Sequence, residues 1–195
     1  MTTQPPTILR LDRQALKVLA HPLRSRLLTE LRLHGQATAT ELAATLGTNT
    51  GATSYHVRKL ASVGLVEETD GGRGRERPWR AATDMHAWTE RGVEDDPDAR
   101  AATDWLRRHY LRGFVDRYEA WLDEQASWPL DWRDAAGESD FGLRLSPARL
   151  TAFNADVHAL YEAYRAADAG DTPAAGDERT VLIYVHAIPL KEAQP

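Results

Sequence analysis

Apolar residues in the first third of the chain recur every three or four positions, the spacing that lines one face of a helix. Leu11, Ala15, Leu16 and Leu19 predict a helix over residues 12–20. Leu23, Leu27, Leu28 and Leu31 predict a second, with Pro22 in its first turn and Gly35 ending it. In "TATELAATLG", Thr38 and Glu41 have the spacing of a capping box, Leu42 and Leu46 face inward, and Gly47 stops the helix. The short connection "TNTG" leads into a fourth helix over residues 51–63, with Ala52, Val57 and Leu60 as its buried stripe. Gly64 follows as the left-handed residue past its end. "LVEETDGGRGRERPWRAA" then reads as two strands around a Gly- and Arg-rich loop.

The second half has a different rhythm. A long helix is expected over residues 98–125, with Leu106, Tyr110, Phe114, Tyr118 and Trp121 on one stripe and Leu111, Val115 and Leu122 widening it. So broad an apolar face needs more than one partner. Pro, Gly and charge interrupt the pattern in "SWPLDWRDAAGESDFGLRLSP". Another helix follows over residues 147–167, capped by Ser146, with Leu150, Phe153, Val157, Leu160 and Tyr164 inward. "TVLIYVHAIPL" reads as a strand apolar on both faces, hence paired and covered. The opening "MTTQPP" is expected to be loosely attached.

Helix, tight turn, helix, then a hairpin is the order of a winged helix-turn-helix. The expected fold is therefore mainly α with a small β component. Residues 1–91 would form the winged helix-turn-helix, and residues 92–195 a helical dimerisation and sensor region ending in a β-strand. Charge divides at the same place: residues 1–91 carry 13 Lys and Arg against 9 Asp and Glu, residues 92–195 carry 11 against 20. A basic reader joined to an acidic second half fits two tasks on one chain. The 195 residues include no cysteine, which removes disulfides, thiol chemistry and thiolate metal sites. No stretch approaches the roughly 18–20 apolar residues of a membrane span. The N-terminus has no signal-peptide pattern, so a cytoplasmic, nucleoid-associated protein is expected.

In a helix-turn-helix the second helix enters the DNA major groove. Its N-terminal end here supplies Thr50, Thr53, Ser54 and Tyr55, followed by His56, Arg58 and Lys59; Thr38 and Thr40 come from the helix before it. Hydroxyls can bond bases or phosphates, and Arg can grip a guanine with two parallel bonds. Arg73, Arg75 and Arg77 on the hairpin tip suit phosphates or a minor groove. The plainer reading of the same helix face is solvation alone. His56 has two readings, a brace against the wing or a phosphate contact.

Taken together, "LAHPLRSRLL", "ATELAATLG", "TSYHVRKLASVGLV" and "GRERPW" resemble the ArsR-type winged helix-turn-helix transcriptional regulators over residues 12–82. The resemblance implies a bacterial homodimer on a palindromic operator, with "TNTGATSYHVRKL" as recognition helix and dimerisation through elements outside the winged helix. The thiolate metal site of that family's metal sensors has no counterpart in a chain without cysteine.

Trp105, Tyr110, Phe114, Tyr118, Trp121, Phe153 and Tyr161 are either core and dimer interface or the lining of a small-molecule effector pocket. The histidines lack HxH or HxxxH spacing, so no metal site is expected. With no nucleophile–base motif, phosphate loop or dinucleotide fingerprint, the chain is read as no enzyme, needing no cofactor. Its expected partners are double-stranded DNA, a second copy of itself and a small-molecule effector, with no membrane. The function expected is a sequence-specific transcriptional regulator, a homodimeric repressor. The alternative is a winged-helix module that binds protein instead of DNA.

Overall fold

The computed structural model describes residues 8–70, 77–168 and 178–191. The expected loose tail "MTTQPP" and the hairpin-tip residues Arg73 and Arg75 lie outside the described residues. Four helices open the chain: α1 (Arg13–Leu19), α2 (Pro22–His34), α3 (Ala39–Thr45) and α4 (Thr50–Ala61). Each starts where a side chain accepts an otherwise orphaned amide. Asp12 accepts from Ala15 at 2.8 Å, His21 from Leu23 at 3.2 Å, Thr38 from Glu41 at 3.2 Å and Asn49 from Ala52 at 2.8 Å. At Thr38 the box is reciprocal, because Glu41 accepts from the Thr38 amide at 2.7 Å. The turn from α3 to α4 requires Gly47 at φ 62°, a left-handed conformation that costs a residue without Cβ nothing.

A short strand β1 (Ile8–Arg10) precedes α1; β2 (Val66–Glu68) and β3 (Trp79–Ala81) form the wing; β4 (Met85–Ala87) follows it. β2 and β3 are antiparallel, with Glu67 opposite Arg80, and Trp79 also exchanges backbone bonds with Ala37 at 2.8 and 2.9 Å. β1 pairs in parallel with β4, Leu9 opposite His86. Sequence reading missed both β1 and β4, because three residues are too few to show an alternation.

The core is shared among these elements and the start of α5 (Pro97–Glu124). Leu16, Leu19, Leu27, Val57, Leu60, Leu65 and Leu106 are fully buried together. Val93, Ala99 and Ala102 belong to the same cluster, so the core of the first half continues into the second through the first turns of α5. Beyond Tyr110 that helix leaves the core. At 1.5 Å per residue its 28 residues run about 42 Å, and Leu111, Val115 and Leu122 face solvent.

A short helix α6 (Leu130–Ala135) and the long α7 (Pro147–Asp168) follow. Two expectations for this half change. Leu160 and Tyr164 of α7, expected to be inward, are exposed. Residues 180–190 form no strand; they run without a ladder partner among the described residues. Both changes have one physical reason: the described residues do not supply the surfaces and backbone groups that would cover them. Among the described residues no helix is long and apolar enough to cross a membrane.

One buried polar network ties α2, β4 and α5 together. Arg32 donates to the Thr83 carbonyl at 3.1 Å and to Nδ1 of His86 at 2.8 Å, and Tyr110 Oη lies 3.1 Å from His86 Nε2. Because a guanidinium can only donate, Nδ1 accepts and His86 carries its proton on Nε2. Burial, then the charge of Arg32, pushes His86 down to about 3. The unfolded imidazole binds a proton near 6.5 and the folded one does not until far lower pH. This contribution to stability is therefore complete above pH 6.5 and lost as pH falls towards 3. His21, His56 and His109 are shifted in the same direction, mainly by burial.

Two outcomes are expected in urea denaturation. Leu60→Ala should cost about 2–5 kcal/mol through the cavity it leaves. Stability should decline as pH falls from 6.5 to about 5.5, above the range where ordinary carboxylates titrate, and His86→Gln should flatten much of that slope.

Candidate nucleic-acid interface

Successive residues on a helix are turned by about 100°, so the buried face of α4 dictates which side chains point away from the protein. Thr53, Val57 and Leu60 are 0% exposed and seat the helix. Opposite them lie Gly51, Tyr55, Arg58 and Ser62, at intervals of four, three and four, with Lys59 beside them; all are exposed. Tyr55 is 55% exposed, and the Lys59 ammonium sits 5.7 Å from its ring centroid, a cation–π contact that holds both side chains on the outer face. Among the described residues neither Arg58 nor Lys59 is in an ion pair.

Several expected reading residues change role. Thr53 is not on the reading surface, and it, rather than half-buried Ala52, completes the inner stripe with Val57 and Leu60. Its Oγ1 is buried with no hydrogen-bond partner among the described residues. A polar residue type suggested an outward position, but its place four residues before Val57 puts it inside. Thr38 spends its hydroxyl on the capping box, donating to Glu41 at 2.9 Å, and so fixes the start of α3. Thr40 and Thr50 are exposed near the helix starts, and Ser54 is half-buried on the flank of α4.

His56 occupies the other flank, and it braces α4 against α2 rather than against the wing. Its ring lies 4.5 Å from that of His21, the residue capping α2, and 5.1 Å from that of Tyr55. Burial first, then the charge of Arg24, lowers its pKa, so at neutral pH it adds no positive charge for a phosphate. Its Nδ1 is buried without a partner among the described residues. Sequence reading had no signal for this contact, because His21 and His56 are 35 positions apart.

On the wing, Arg77 lies 3.9 Å from Glu68 and Arg80 2.7 Å from Glu67, both pairs well exposed. Exposed pairs of this kind hold weakly and can be exchanged for a phosphate. Trp79 is buried under the hairpin and packs into the core.

The seven aromatic residues of the candidate effector pocket do not converge. They lie in separate groups along α5 and on α7. Trp105 stacks on His109 at 4.8 Å and Tyr110 bonds His86. Phe114 stacks on Tyr118 at 5.8 Å and meets Tyr184 at 4.7 Å. Trp121 meets Trp128 edge-on at 5.6 Å. On α7, Phe153 is half-buried and Tyr161 exposed. Cavities of about 490 and 240 Å³ lie elsewhere: the first beside Leu11, Thr89 and Val93, the second beside Leu9, Ala15 and Val63.

The geometry of Thr53 yields a sharp expectation. Thr53→Val removes a buried hydroxyl without a partner and should stabilise the fold by about 1 kcal/mol in thermal unfolding. It should leave duplex affinity unchanged, whereas a base-reading threonine would lose affinity on the same substitution.

A model described as a helix-turn-helix domain matches residues 19–69, the stretch from the end of α1 to β2. Among solved structures, a possible transcriptional regulator for arsenical resistance is 30% identical, over 66% of this chain and 99% of that one, with a TM-score of 0.31. The homodimeric winged helix-turn-helix DNA-binding domain of a possible ArsR-family transcriptional regulator from Mycobacterium bovis is 23% identical, over 53% of this chain and 76% of that one, with a TM-score of 0.33. A transcriptional regulator homologue from Pyrococcus horikoshii OT3 is 21% identical, over 50% and 87%, with a TM-score of 0.32. No curated protein matches the chain. With the matched helix-turn-helix and the wing that follows it, the first part of the chain is a winged helix-turn-helix domain.

Proposed function

We propose that the protein is a homodimeric repressor that reads a palindromic operator with α4. The observation that carries this reading is the outward row Tyr55, Arg58 and Lys59 on a helix whose opposite face is locked into the core. Ser54, Tyr55 and Arg58 meet base edges, and Lys59 with Arg73, Arg75 and Arg77 of the wing neutralises phosphates. Two copies related by a two-fold axis present their recognition helices about 34 Å apart, one turn of duplex. Residues 1–91 form the reader, and residues 92–195 join the copies. A small-molecule effector would act through the aromatic groups along α5, by favouring one dimer spacing over another. The overall charge of −5 does not oppose this, because the duplex meets the local field of the basic half.

Duplex affinity should fall steeply with salt. Lys59→Ala should weaken binding to all sequences alike and reduce the slope of log affinity against log salt by about 1. Arg58→Ala should cost about 1–3 kcal/mol and relax preference at one base position. A chain that binds no duplex at low salt, or whose affinity ignores both substitutions, rules the reading out.

A further inference from the structure

Residues 180–190, "TVLIYVHAIPL", contain no Asp, Glu, Lys, Arg or Gly, inside a half of the chain rich in carboxylates. One side of this segment rests on α5. Tyr184 packs on Phe114 at 4.7 Å and its hydroxyl accepts from Arg117 at 3.4 Å, while His186 lies 6.0 Å from the same phenyl ring. The odd-numbered side chains take the opposite side: Val181 is 61%, Ile183 78% and Val185 53% exposed, against 43% for Leu182. Over residues 181–186 the contacts of Tyr184 and His186 with one ring give the two-residue period of a strand, its outer side apolar; Ile188, 76% exposed, lies past it. Yet among the described residues no ladder engages its backbone.

Proteins protect an open strand edge with Lys, Pro, a bulge or a covering element. Here the first Pro is Pro189, at the far end, and no charge intervenes. Such a segment is fit to be paired, and its own sequence identifies the fitting partner. About a two-fold axis through Ile183, an antiparallel copy sets Val181 against Val185 and Ile183 against itself, every outer pair being β-branched. The charge balance favours the same partner. Two acidic halves repel, so the place where they can touch is a strip free of charge.

We propose that residues 180–186 pair antiparallel with the same segment of a second copy, forming a two-stranded ribbon that clasps the dimer against both α5 helices. The proposal rests on the homodimer of the preceding subsection and names its interface.

The absence of cysteine makes a direct test available. Ile183→Cys in the full chain introduces a single thiol. In the proposed register two such thiols face each other with Cα atoms about 4.5–5.5 Å apart, within disulfide range. Mild oxidation should crosslink this variant at least ten times faster than Leu130→Cys, whose exposed position lies outside the ribbon. Val181→Asp with Val185→Asp should raise the dimer dissociation constant at least tenfold by sedimentation, with far-UV circular dichroism unchanged. Crosslinking no faster than the control, with a dimer that survives the Asp pair, overturns the ribbon and leaves the regulator reading intact. A wild-type chain that sediments as a monomer at all concentrations overturns both the ribbon and the homodimer.

Discussion

The rotational setting of α4 is the constraint on which the proposed DNA-reading surface depends. Thr53, Val57 and Leu60 occupy one narrow arc and are sealed into the core, so the helix cannot turn without drawing one of them into water. A turn of one residue, about 100°, would bring Val57 towards solvent and carry Arg58 towards the core, a change opposed by both hydrophobic and charge burial. The Asn49 cap fixes where α4 begins, and Gly47 fixes the direction from which it arrives. His56 against His21 then holds one flank to α2. The outward row of Tyr55, Arg58 and Lys59 follows from these inward constraints, as exposed side chains cannot order themselves.

Much of this was legible in the residue pattern because the signals are local. Leu16, Leu27 and Leu60 each sit in a run of apolar residues at helical spacing, Thr38 and Glu41 announce a helix start, and Gly35, Gly47 and Gly64 each adopt positive φ where a helix ends. The wing was legible from its Gly- and Arg-rich turn between apolar runs. What escaped is non-local or unusual in residue type. The parallel pairing of Leu9 with His86 spans most of the reader, and no spacing rule reaches that far. Thr53 was placed outside because hydroxyls usually are, although its position relative to Val57 argued otherwise. The Arg32–His86–Tyr110 network gathers three elements whose residues are unremarkable one by one.

The second half diverged more, for a thermodynamic reason. The stripes on α5 and α7 and the pattern of residues 180–190 were read as buried, and in a single chain Leu111, Leu160, Ile183 and their neighbours are exposed. Apolar periodicity states that a surface is meant to be covered, without saying by which molecule. The first half completes its own core, which extends to Tyr110 and stops. Beyond that point the described residues leave much of their apolar surface exposed, which the proposed joining of two copies would cover.

Hydroxyl-radical footprinting of the duplex upstream of the protein's own gene bears most directly on the DNA-reading assignment of α4. Two protected stretches related by a two-fold axis, centred about 10 base pairs apart, are the predicted result. Uniform cleavage at low salt, with the protein dimeric and folded, would contradict it.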